Sequence, residues 1–173
     1  MKRIIVIVLG VMMVFMLSAC DDIEMDDRTG TTPLVFGTDY EVENIRTEPL
    51  MGYPEDGVEE VYWIESLSDL ETYVQEYEVI FDFDWDNPSF YEHIEQYDEA
   101  FFEDFHLFFV IVSEPSGSIR HGIEEITAAE GVLNIHMSRS VPEIGTTDMA
   151  CWHVVVQLEK DAHDFHSVEL IVE

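Results

Sequence analysis

Three groups of side chains in this chain are of types and spacings that could do chemistry. The stretch Phe81 to Pro88, FDFDWDNP, sets Asp82, Asp84 and Asp86 at alternate positions, like the first three oxygen ligands of an EF-hand calcium loop. The rest of that pattern departs: Asn87 and Pro88 follow where the loop needs a glycine, and His93 stands at the twelfth position in place of a bidentate glutamate. The competing reading makes Asp86 or Asn87 the cap of a helix with Pro88 at its first position. The second group is His136, Cys151 and His153, which strand alternation places opposite apolar rows. Beneath a second layer they could converge on zinc or copper, or they could line a polar or helix-covered face. The third group sits on two turns, with Ser116, Gly117, Ser118 and Arg120 at one and Arg139, Glu143, Thr146 and Asp148 at the other. Loops held on a rigid frame are where binding residues concentrate. The plainer role for Arg120 and Arg139 is to offset nearby carboxylates.

Other chemistries lack their residues. There is no GxSxG elbow, P-loop, dinucleotide fingerprint or HExxH pair. Acidic pairs for glycoside hydrolysis could be drawn anywhere among 38 Asp and Glu, so they point nowhere. No catalytic residue is assigned and no cofactor is implied. A metal-binding protein or metal-dependent hydrolase is the alternative that the carboxylates and the His136, Cys151 and His153 set keep open. The formal charge of −31 repels phosphate backbones and so excludes nucleic acid as a partner.

The elements that must position these groups are mostly strands. Leu107 to Val112, LFFVIV, is apolar at every position, as a strand buried on both faces would be. Trp152, Val154, Val156 and Leu158 alternate with Cys151, His153, Gln157 and Glu159, and this period of two predicts a strand with one buried face. Leu133, Ile135 and Met137 alternate with Asn134, His136 and Ser138 in the same way. Tyr40 and Val42, Val61 to Ile64, Ile119 to Ile126 and Val168 to Val172 add further strands, and Ala128 to Gly131 reads as a short hairpin loop ending in a glycine free to take positive φ. Ser66 to Tyr77 carries Leu67, Leu70, Val74 and Tyr77 at helical spacing, with Ser68 and Glu71 placed as a capping box. A second helix follows Pro88, its stripe being Phe90, Ile94, Tyr97 and Phe101. The fold class expected is α+β, a mainly antiparallel sheet, meander or sandwich-like, with one or two packed helices. If sequence neighbours pair as a meander, the SEPSGS turn and the SVPEIGTTD loop share one end of the sheet.

At the N-terminus, Lys2 and Arg3 precede Ile4 to Leu17, which holds only apolar side chains and Gly10. That run suits the apolar core of an export signal and falls short of the ~20 residues that span a bilayer. Leu17-Ser18-Ala19-Cys20 resembles the lipobox of bacterial lipoproteins. The resemblance implies a signal peptide over residues 1–19 and diacylation of Cys20. It also implies a lipid-anchored protein on the extracytoplasmic face of the cell membrane. Residues 20–33 are acidic and polar and are expected to form a flexible tether, leaving residues 34–173 as a single domain. Loss of Lys2 and Arg3 takes the formal charge to −33. With Cys20 acylated, Cys151 is the only thiol, so core packing and not a disulfide must hold the fold.

The order SGS, strand, GVLNI, then VPEIGTTDMACWHVVVQLEK is similar to uncharacterised lipoproteins of Gram-positive bacteria. More distantly it resembles the C-terminal domain of PrcB, an accessory subunit of a surface protease complex, over roughly Val61 to Lys160. Pro142, Gly145 and Lys160 match that family's Pro-Gly loop and strand-ending lysine, while a second glycine beside Gly117 is missing. The resemblance implies a binding or accessory module with an envelope protein as its partner, and it assigns no active site.

Overall fold

The computed structural model describes residues 34–36, 40–53, 60–160 and 165–172. Cys20, the signal peptide and the tether lie outside the described residues. Two strands organise the rest, β5 (Phe105–Glu114) and β8 (Ala150–Glu159), which pair antiparallel along their whole length. Leu107 to Val112 and Ala150 to Val156 are buried at every position. The reading of LFFVIV as a doubly covered strand holds. The reading of β8 as buried on one face is corrected: its other face is also covered, so Cys151 and His153 are as buried as Trp152 and Val154.

Both faces are covered because β8 lies at the centre of a five-stranded sheet packed between two layers. The sheet runs β3 (Glu60–Ile64), β5, β8, β2 (Tyr40–Pro49) and β4 (Phe81–Asp82). A four-stranded sheet of β1 (Leu34–Phe36), β6 (Arg120–Ala129), β7 (Val132–Ser140) and β9 (Ser167–Val172) lies against one face. There Phe108, Val110, Trp152, Val154 and Val156 meet Ile126, Leu133, Ile135 and Met137. On the opposite face Leu107, Phe109, Ile111, Cys151 and Val155 meet Leu70, Tyr73, Phe81, Phe83, Phe90 and Tyr97. Burial of side chains of this size stabilises by about 1.5 to 3 kcal/mol each, which offsets the chain entropy lost on folding.

The architecture is α+β with mainly antiparallel sheets, β7 and β9 being the parallel pair. The meander is corrected, because β5 and β6, and likewise β7 and β8, are sequence neighbours that belong to different sheets. β6 and β7 do form a hairpin, turning on Glu130 at φ 55° and Gly131 at φ 80°. A Cβ on Gly131 would also lie 2.3 Å from the His166 ring, so the position requires glycine twice over.

The first helix, α1 (Leu67–Tyr77), is where its periodicity predicts, but its cap is Ser66, whose hydroxyl accepts from the Asp69 amide at 3.2 Å. The Ser68 and Glu71 box is therefore not formed: the cap sits two residues earlier, and the Ser66 hydroxyl also donates to the Asp69 carboxylate at 2.8 Å. The second prediction divides into two short helices, α2 (Phe90–Ile94) and α3 (Phe101–Asp104). Ser89, not Asp86 or Asn87, caps α2, in a reciprocal box with Glu92, and Pro88 stands before the cap. Serine and glutamate three apart satisfy two end amides at once, an arrangement Asp86 and Asn87 cannot match at that spacing from the first turn.

Candidate functional site

The chain crosses between sheets twice at one end, through residues 115–119 after β5 and residues 141–149 before β8. The SEPSGS turn and the SVPEIGTTD loop therefore do share an end, although the crossing between sheets and not a meander brings them there. They are fastened together. The Gly117 amide donates to the Asp148 carbonyl at 2.8 Å, the Thr146 amide to Ser118 Oγ at 3.0 Å, and Ser116 Oγ lies 3.2 Å from Thr146 Oγ1. Gly117 makes room for this pair: a Cβ there would lie 2.6 Å from Asp148 Oδ2 and 3.1 Å from Arg46 Nη1, so the two side chains would have to shift.

The charges at this end are spent on one another. Arg46 Nη2 donates to Asp148 Oδ2 at 2.7 Å and to the Met149 carbonyl at 3.0 Å. Hydrogen bonds from Thr146 and Arg46 hold the Asp148 carboxyl low, at about 2. Arg139 meets Glu114 with two bonds of 2.7 Å, and His121 Nε2 lies 2.9 Å from the same carboxylate, which is buried. For Arg139 the charge-offsetting role applies. Arg120 differs: it donates to the Gly117 and Ile119 carbonyls and stacks 4.1 Å over the Trp152 ring. Glu143 stands exposed. Ser116, Gly117, Ser118, Arg120, Arg139, Thr146 and Asp148 are thus gathered, as a rigid frame more than as free ligands. Sequence reasoning missed Arg46, Glu114 and His121; the signal for Arg46 was a cation in a strand of a chain with only seven Lys and Arg.

Beside this frame the same end is apolar. Leu50, Met51, Val79, Ile80, Ile144 and Met149 are all exposed. The Leu50 amide donates to the Ile80 carbonyl at 2.8 Å, and Tyr53 Oη donates to the Met149 carbonyl at 3.1 Å, which ties the two apolar turns to the frame. Between them opens a pocket of about 320 Å³ lined by Pro49, Met51, Glu60, Tyr77, Ile80, Phe81, Ile111 and Ser113. A wider and more open groove of about 720 Å³ lies elsewhere, between α1 and α2, with Leu70, Val74 and Ile94 among its lining.

The two metal sets are not assembled. His136 points away from the core on the outer face of the four-stranded sheet, 4.0 Å from Glu125, whereas Cys151 and His153 lie under the helices on the far face of the other sheet. His153 is fully buried, Nδ1 at 3.0 Å from Thr47 Oγ1 and Nε2 at 2.8 Å from Tyr73 Oη. Burial pushes its pKa down to about 3 and the Cys151 thiol up to about 11, so both stay neutral. Asp82 and Asp86 each use a carboxylate oxygen on a neighbouring amide, those of Asp84 and Asn87. Among the described residues no three His, Cys, Asp or Glu side chains come together as a metal site. No protein-family model, no curated protein and no solved structure matches the chain.

Proposed function

We propose that this chain is a lipid-anchored extracytoplasmic binding or accessory module that meets an envelope protein through the loop end of its five-stranded sheet. One observation carries the reading: the exposed apolar side chains Leu50, Met51, Val79, Ile80, Ile144 and Met149 concentrate at the end where a polar frame fixes the loops. Clustered apolar exposure marks association surfaces, and a pre-ordered surface loses less entropy when it binds. The export signal and the LSAC sequence ending at Cys20 support the anchor. The formal charge of −31 favours a partner with a cationic surface.

The test uses the full chain in its native host. Cys20→Ala should leave the precursor uncleaved or release the protein, and a mutant that remains membrane-bound with an unmodified mature N-terminus removes the anchor. Cross-linking in envelopes is then compared between wild type and a Met51→Asp/Ile144→Asp double variant. Both residues are 89 % exposed, so the melting temperature should hold while the cross-linked partner disappears. Capture that is unchanged in the double variant refutes this surface.

A further inference from the structure

The pocket at the loop end shares Met51 and Ile80 with the proposed association surface and has a chemistry of its own. It forms where the helix-covered face of the five-stranded sheet runs past α1. Pro49, Ile111 and Ser113 line it from the strands, Tyr77 from the last turn of α1, and Ile80 and Phe81 from the segment that follows. At about 320 Å³ it stands at the lower end of the volumes that hold small molecules, about 300 to 1,000 Å³.

Two polar groups break its apolar wall. Glu60 takes a hydrogen bond from Tyr62 Oη, which in turn accepts from Tyr77 Oη, so the carboxylate is held in place by a short relay. Ser113 Oγ is buried and, apart from the weakly bonding Cys151 thiol beside it, has no partner among the described residues. No Lys, Arg or His is among the described residues lining the pocket. Of the cations in the neighbouring frame, Arg46 and Arg139 are paired with Asp148 and Glu114, and Arg120 is turned onto the Gly117 and Ile119 carbonyls and the ring of Trp152, which belongs to the opposite face of the sheet. The local field is therefore negative, and Tyr77 and Phe81, whose rings stack on each other at 6.2 Å and on Tyr73 and Phe83, give the wall an aromatic surface.

We propose that this pocket binds a small organic cation. Its ammonium lies against Glu60, its aromatic or branched apolar body lies against Tyr77 and Phe81, and a second polar atom reaches Ser113. An anion of the same size would meet Glu60 and the acidic surface without compensation.

Tyramine, phenethylamine and 4-hydroxyphenylacetate separate these terms, since they share a ring and differ in the ammonium and the hydroxyl. Each is titrated into the full chain in detergent, with binding read by calorimetry and by saturation transfer to the ligand. Tyramine should bind saturably, phenethylamine more weakly, and 4-hydroxyphenylacetate not at all. Glu60→Gln, at an exposed position, should weaken tyramine by about tenfold, the loss expected when a charge-assisted bond becomes a neutral one. Ser113→Ala should abolish the preference for tyramine over phenethylamine, with a thermal melt showing that each variant is folded. Absence of saturable tyramine binding, equal binding of the anion, or tyramine affinity unchanged in both variants overturns the assignment. The titrations need no partner protein, so they read the pocket separately from the association surface.

Discussion

Replacing His153 with Gln should flatten the acid side of the stability profile. The imidazole is fully buried, with hydrogen bonds to Thr47 and Tyr73 and the rings of Phe90 and Phe81 at 5.0 and 5.1 Å. Among the described residues no carboxylate touches it, and Cys151 in the same layer is neutral with its thiol raised to about 11, so burial sets its proton affinity. In the fold the ring takes no proton until pH approaches 3, whereas in the unfolded chain it takes one near its ordinary 6.5. Between those values the unfolded state binds the extra proton, and stability falls as pH falls, by about 1.4 kcal/mol per unit. From pH 7.5 to 5.0 this amounts to about 2 kcal/mol for wild type. Glutamine can still bond both hydroxyls but carries no titration. The variant should lose about 1 to 3 kcal/mol at pH 7.5 through imperfect geometry. It should then lose about 2 kcal/mol less than wild type on going to pH 5.0. Urea midpoints followed by tryptophan fluorescence at both pH values supply the comparison. Every other titratable group is common to the two proteins and cancels in the difference. Equal acid losses for the two proteins would show that His153 is not held neutral in the fold between Thr47 and Tyr73.

Gly117→Ala should open the frame, because its Cβ would stand 2.6 Å from Asp148 Oδ2; the expected cost is about 1 to 3 kcal/mol in thermal melts, partly recovered by Asp148→Ser. Arg139→Ala strips the buried Glu114 of its two 2.7 Å bonds and should cost about 1 to 3 kcal/mol. Adding Glu114→Gln should return part of that loss, and a double variant no better than the single would show that the pair is not coupled. Trp152→Ala should cost about 3 to 5 kcal/mol by denaturant unfolding, given its 4 % exposure and the Arg120 stack above it. Near-native stability there would mean that Trp152 is not packed between the two sheets.

Local pattern alone made much of the fold legible. The apolar run Leu107 to Val112 read as a strand covered twice, the alternation of Leu133, Ile135 and Met137 reported one buried face, and Gly131 marked a hairpin. Each of these is a property of a short window, where side-chain direction follows from backbone period. Helix caps were half legible: SLSD and SDLE offer two capping frames in one stretch, and only the seating of Leu70 and Tyr73 on the sheet decides for Ser66. The site residues on the two turns were legible as polar loops, but their partners were not. Arg46 reaches Asp148 across 102 residues, and Arg139 turns inward to a glutamate 25 residues away. Nothing in a window announces such pairs, because they form when strands from different parts of the chain are set side by side. The same holds for His136 and His153, which look alike in sequence, each opposite an apolar row. One ends on an outer surface and the other at full burial, because alternation tells which face a side chain points to, and only tertiary packing decides whether another layer lies there.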